Sequence, residues 1–190
     1  MALTEPDPGN EDVVDLLIAQ HQQVKNLFAR LHTATGDAAE EPFHELRKML
    51  AVHETAEEEV IYPVLRSHGA DDIVEARLGE EADAKQALAN LEKMGPTAAQ
   101  FPAELASFEK AVLAHAEAEE HEVFPRLRQQ ADNEQRRKMA QALRAAEAVA
   151  PTHPHPKGPE SAVGNLIVGP FVAIVDRVRD AIREHTKKAG

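Results

Sequence analysis

Apolar residues recur every three to four positions along most of the chain, the spacing of a helix that buries one face. Leu17, His21, Val24, Phe28 and Leu31 step by four, three, four and three. Equivalent seams run through Leu46, Leu50, His53, Glu57, Val60 and Val64, through Val74, Leu78, Glu81, Ala84, Leu88 and Leu91, and through Leu105, Phe108, Val112, His115, Glu119 and Val123. Gly, Pro and Asp/Asn clusters punctuate the pattern and predict six helices, near 11–33, 38–67, 71–94, 103–129, 133–150 and 170–187. Asn10 or Asp12 caps the first, and Asp71 or Asp72 the third. Residues 151–165, "PTHPHPKGPESAVGN", read as a Pro-rich linker, and Phe171, Val175, Val178 and Ile182 give the last helix an apolar stripe. The expected fold is all-α, an up-down-up-down four-helix bundle with additional C-terminal helices outside it. Residues 1–150 would form the bundle and a fifth helix. Residues 151–190 would supply a linker and a helix that packs on the bundle or on a partner subunit, as in a homodimer.

Each of the four seams contains polar residues where a core hydrophobe belongs, and they fall in a repeat. The stretch "HETAEEEVIYP" at 53–63 returns as "HAEAEEHEVFP" at 115–125, an offset of 62 that pairs His53 with His115, Glu57 with Glu119, Glu58 with Glu120 and Tyr62 with Phe124. An offset of 60 superposes the preceding helices, pairing Ile18 with Leu78, Lys25 with Lys85 and His21 with Glu81. Each half thus supplies one polar residue and one His-x-x-x-Glu pair, and antiparallel pairing brings all six to one level of the bundle. A single His–Glu pair on a solvated helix contributes only about 0.2–0.5 kcal/mol and is ordinary surface. Three buried carboxylates are different, because each unpaired one costs several kcal/mol. Bound cations remove that cost, so His21, His53, Glu57, Glu81, His115 and Glu119 are the candidate metal ligands.

Imidazoles mixed with carboxylates suit iron, manganese or zinc, while calcium and magnesium prefer oxygen alone. The repeat favours two ions: His21, His53 and Glu57 on one, Glu81, His115 and Glu119 on the other, with Glu57 and Glu119 placed to bridge. The chain has no cysteine, which excludes thiolate metal sites and disulfides, and its net charge of -12 disfavours nucleic acid and anionic membrane as partners. The N-terminus lacks a secretory pattern and the longest apolar run is too short to span a bilayer, so a cytoplasmic location is expected. His-Glu-x-x-His is absent, which removes support for zinc peptidase chemistry.

His21 in "AQHQQVKNLF" together with the two His-x-x-x-Glu-Glu segments, each ending in aromatic-Pro, resembles the hemerythrin-like, HHE cation-binding family over residues 11 to about 130. The tail "GNLIVGPFVAIVDRVRDAI" resembles the C-terminal extension of actinobacterial members. The resemblance implies a non-haem di-iron centre, oxo- or hydroxo-bridged, with manganese or zinc as lesser candidates, that meets O2, H2O2 or NO in oxidative or nitrosative stress or in iron oxidation. Oxygen carriers of that family place two histidines at i,i+4 where this chain has Arg77 and Glu81. The richer carboxylate set shifts expectation from reversible oxygen carriage towards peroxidase-like, catalase-like or ferroxidase turnover, with O2 or iron sensing or storage as the alternative.

Glu80 is an alternative to Glu81. Glu58 and Glu120 either orient imidazoles or lie on a solvated face. Tyr62, the one tyrosine, either donates a hydrogen bond near the site or packs as Phe124 would; packing is the preferred expectation. Lys25 and Lys85 flank the site or cover its rim. Pro63 and Pro125 are expected to kink or end their helices. His32, His44, His68, His121 and His185 are expected at the surface, and His153 and His155 in a solvated linker.

Overall fold

A computed structural model describes residues 11–150 and 170–189. Four antiparallel rods form the bundle. The first is α1 (Val13–Thr33); the second is α2 (Glu40–Ala56) continued by α3 (Tyr62–Ser67). The third is α4 (Asp71–Met94), and the fourth is α5 (Phe101–Ala118) continued by α6 (Phe124–Gln130). A fifth helix, α7 (Asn133–Val149), packs on α1 and α2, and α8 (Pro170–Ala189) packs on α2 and α7. The expected all-α bundle with further C-terminal helices is what the chain adopts.

Local chemistry sets the ends of these rods. Asp12 caps α1, its Oδ1 accepting from the Val14 amide at 2.9 Å, and Asp132 and Gln135 form a reciprocal capping box on α7. The expected cap of α4 is corrected: Ala70 is the residue before the helix, and Asp71 and Asp72 lie in its first turn, where they complement the helix dipole. Gly95 ends α4 at φ 78°, a backbone region that disfavours residues with a Cβ.

The two prolines do not end their rods. Each follows a single π-helical turn, Glu57–Ile61 before Pro63 and Glu119–Val123 before Pro125. In these turns the Tyr62 amide donates to the Glu57 carbonyl and the Phe124 amide to the Glu119 carbonyl, one residue further back than in an α-helix. A proline lacks the amide hydrogen and crowds the carbonyl four residues earlier, so a wider turn absorbs it without breaking the rod. The extra residue moves the buried seam of the second rod by one position. Ile61 and Leu65 fill the core where Val60 and Val64 were expected, and those two valines are only half-buried.

Away from the polar level the core is apolar and aromatic. Phe28 meets Phe108 edge-on at 5.9 Å and Phe43 meets Phe101 at 5.2 Å. On α8, Val178 and Ile182 are buried as expected, Ile174 joins them, and Val175 is half-buried. The side chain of Phe171, the linker 151–165 and its His153 and His155 lie outside the described residues. No described helix is long and apolar enough to cross a membrane.

Candidate metal centre

All six residues singled out by the repeat meet at one level of the bundle. Glu57 and Glu119 are fully buried, Glu81 is 1% exposed, His21 and His53 are 4% exposed, and the His115 side chain is 13% exposed. Their ligating atoms fall into two groups within 4.8 Å: His21, His53 and Glu119, and Glu57, Glu81, His115 and Glu119. Glu119 belongs to both. Glu57 falls in the second group, and its Oε2 is also 3.4 Å from His53 Nε2. Both glutamates open a π turn, and that turn carries them to the bundle axis.

The imidazole orientations are fixed from behind. Nδ1 of His21 lies 2.9 Å from Glu120 Oε1, Nδ1 of His53 2.9 Å from Gln20 Oε1, and Nδ1 of His115 2.8 Å from Glu80 Oε2. Each of these oxygens accepts, so each Nδ1 carries the hydrogen and each Nε2 faces the centre. With both rings neutral, the Nε2 lone pairs of His21 and His53 face one another at 3.0 Å, which requires a proton or a cation between them.

The carboxylates make the same point. Neither oxygen of Glu57 accepts a hydrogen bond, nor does Glu119 Oε2. Burial, then the charges of Glu119 and Glu81, pushes the Glu57 carboxyl well above the usual range. Burial raises Glu81 to about 7, although Tyr62 and Lys85 oppose it. Burial also lowers His53 to about 4, so that ring is neutral near pH 7. Burial disfavours charge on His115 and Glu119 too, but their contact at 3.0 Å outweighs it, raising His115 to about 9 and holding Glu119 well below the usual range. Without a metal the centre therefore balances its charge with protons. Metal binding displaces such protons, and the mixed nitrogen and oxygen donors fit iron.

Several surrounding roles differ from expectation. Tyr62 is not a packing residue alone: its hydroxyl donates to Glu81 Oε1 at 2.6 Å and to Glu119 Oε1 at 3.1 Å, while Phe124 stacks on His21 at 5.5 Å. Glu81 lies in the centre and Glu80 stands behind His115, which separates the two alternatives. Glu120 orients an imidazole, whereas Glu58 binds Lys85 at 2.5 Å and Arg179 of α8 at 3.4 Å. Lys85 reaches Glu81 at 3.2 Å and Glu54 at 3.5 Å, and Lys25 is exposed. His44, expected at the surface, is 5% exposed.

Gln20 and Glu54 went unnoticed in the sequence. Gln20 lies off the seam and is buried because α7 covers α1; its match to Glu80 at the offset of 60 was the available signal. Glu54, beside His53, is raised to about 8 by burial despite Lys85. Glu54, Glu81 and the three histidines line a cavity of about 20 Å³ closed by Val24, Leu50, Ala84 and Val112. A space of that size exceeds the roughly 10–15 Å³ needed for one water-sized molecule.

Residues 12–127 match the family described as the hemerythrin HHE cation binding domain. A protein named DNA nickase from Nostoc sp. strain PCC 7120 is 27% identical over 143 residues, 75% of this chain and 41% of that protein. An uncharacterized hemerythrin-like protein of Schizosaccharomyces pombe is 23% identical over 176 residues, 90% of this chain and 87% of its own length. No solved structure matches the chain.

Proposed function

The chain belongs to the hemerythrin HHE cation-binding family, and from that premise we propose that its centre holds two iron ions and reacts with O2, H2O2 or NO. The supporting observation is the pair of inward Nε2 atoms at 3.0 Å beside a buried Glu57 with both oxygens unpartnered. His21, His53 and Glu119 would hold one ion, and Glu57, Glu81, His115 and Glu119 the other. Iron supplies Lewis acidity and exchangeable electrons when bound. Glu120, Gln20 and Glu80 keep the imidazoles aimed inward, and Tyr62 holds Glu81 and Glu119 in place. The cavity of about 20 Å³ beside them has room for a water-sized ligand such as a diatomic molecule or peroxide.

Three anionic ligands favour the ferric state, which supports peroxide or iron-oxidising turnover over reversible oxygen carriage. Nicking of DNA is not carried over from the Nostoc relative: the net charge of -12 offers a phosphate backbone little to bind. Metal analysis with absorption spectroscopy tests the reading. Two irons per chain, with visible bands that change on adding peroxide, are expected. Bands that respond reversibly to O2 without turnover move the reading to a sensor, and protein that takes zinc but no iron overturns it.

A further inference from the structure

Behind the candidate ligands runs a hydrogen-bonded row that leaves the family-matched segment and ends on α7. His53 Nδ1 lies 2.9 Å from Gln20 Oε1, Gln20 Nε2 donates to Glu147 Oε1 at 2.9 Å, and Arg144 Nη1 donates to Glu147 Oε2 at 2.7 Å. Arg144 is itself held by Glu11 through its Nε at 2.9 Å.

We propose that Glu147 is a positioning residue that fixes which ring nitrogen of His53 faces the centre. The logic is one of donors and acceptors. A carboxylate accepts only, so Gln20 must turn its NH2 group to Glu147 and its carbonyl to His53. A neutral imidazole has one N–H, and the Gln20 carbonyl draws it to Nδ1, leaving Nε2 bare towards His21 and Glu119. Were Gln20 reversed, its NH2 would donate to Nδ1, the hydrogen would sit on Nε2, and His53 would present a donor to a cation. Gln20 is 2% exposed, so bulk water does not set its orientation. The other half has no such need, because Glu80 stands at the position equivalent to Gln20 and accepts whichever way it turns. Glu147 lies beyond residue 127, the last one matched to the family, so this control is added by the fifth helix.

Glu147→Gln is the informative change. Arg144 only donates and therefore draws the new carbonyl towards itself, leaving the new NH2 facing Gln20 and forcing Gln20 to turn over. Long-range 1H–15N correlation on the metal-free, full-length protein reads the tautomer directly, with the His53 signals assigned from a His53→Gln variant. The wild type is expected to carry its hydrogen on Nδ1 and the Glu147→Gln variant on Nε2. The double variant Gln20→Glu/Glu147→Gln restores an obligate acceptor next to His53 and is expected to return the hydrogen to Nδ1.

The ligand assignment rests on the proposed metal function, and iron affinity reads it separately. It should fall about 10–100-fold in Glu147→Gln, the size expected for loss of an orienting partner, and recover in the double variant. A wild-type His53 with its hydrogen on Nε2, or a tautomer unchanged in a folded Glu147→Gln protein, overturns the proposal. If Glu147→Gln does not fold, Glu147→Ala takes its place: loss of the acceptor lets Gln20 turn over, and a His53 hydrogen still held wholly on Nδ1 there overturns the proposal. Tautomers that follow the expected sequence in a protein that takes no iron would uphold the proposal and sink the metal function.

Discussion

Replacing Glu57 with glutamine should stabilise the metal-free protein and weaken the loaded one, and the opposite signs make the test sharp. Glu57 is fully buried, neither of its oxygens accepts a hydrogen bond, and its charged form is disfavoured first by burial and then by Glu119 and Glu81. Holding a buried carboxyl protonated at a pH where the unfolded group is ionised costs about 1.4 kcal/mol per pH unit, on the order of 3–5 kcal/mol at pH 8, whereas a buried amide without partners costs about 1–3 kcal/mol. The neutral isostere should therefore make the metal-free protein about 2 kcal/mol more stable at pH 8. In a chain of this length each kcal/mol moves Tm by about 2–4 °C, so a rise of about 4–8 °C is expected. With iron present the variant lacks an anionic ligand, and every tenfold loss of affinity removes about 1.4 kcal/mol of metal-dependent stabilisation. Calorimetry on metal-free and iron-loaded samples of both proteins measures each term. A metal-free Tm that falls, combined with an undiminished iron-induced rise, would show that Glu57 is an ordinary structural group and refute the ligand reasoning.

Two further outcomes follow from the same centre. Metal-free stability should fall as pH rises from 6.5 to about 9: His115 keeps its proton up to about 9 through Glu119 although burial opposes it, so its contribution is full below 6.5 and lost through about 9. Burial makes Glu54 and Glu81 act with the same sign, their protonated forms being lost as pH passes about 8 and about 7; a metal-free Tm that stays flat or climbs over this window contradicts the assigned charges. Tyr62→Phe should keep the fold, since Phe124 fills the equivalent position, yet lower iron affinity about tenfold by removing the donor to Glu81 and Glu119. Competition against a chelator measures that loss, and an unchanged affinity would return Tyr62 to a packing role.

Most of this site was legible because helical periodicity and an internal repeat are properties of sequence. Leu17, His21, Val24 and Phe28 share a face whatever surrounds them, and the offset between His53 and His115 needs no coordinates. What periodicity hid was the extra residue in each rod. Val60 and Val64 were expected in the core because a regular turn was assumed past Glu57, whereas the π turn before Pro63 hands the core to Ile61 and Leu65. Gln20 was hidden for another reason: it lies off the seam of α1, and only the docking of α7 buries it and gives it Glu147. The role of Tyr62 depends on where Glu81 arrives from another rod, which local pattern does not encode.

The half-sites match in shape but not in electrical character. His53 rests on the neutral amide of Gln20, whereas His115 rests on the carboxylate of Glu80 and shares its group with Glu57 and Glu81. A carboxylate behind an imidazole makes the ring the stronger electron donor. The two halves of the repeat thus offer unequal seats: the acidic one is expected to fill first, so that half-loaded protein would be one species instead of an even mixture of two.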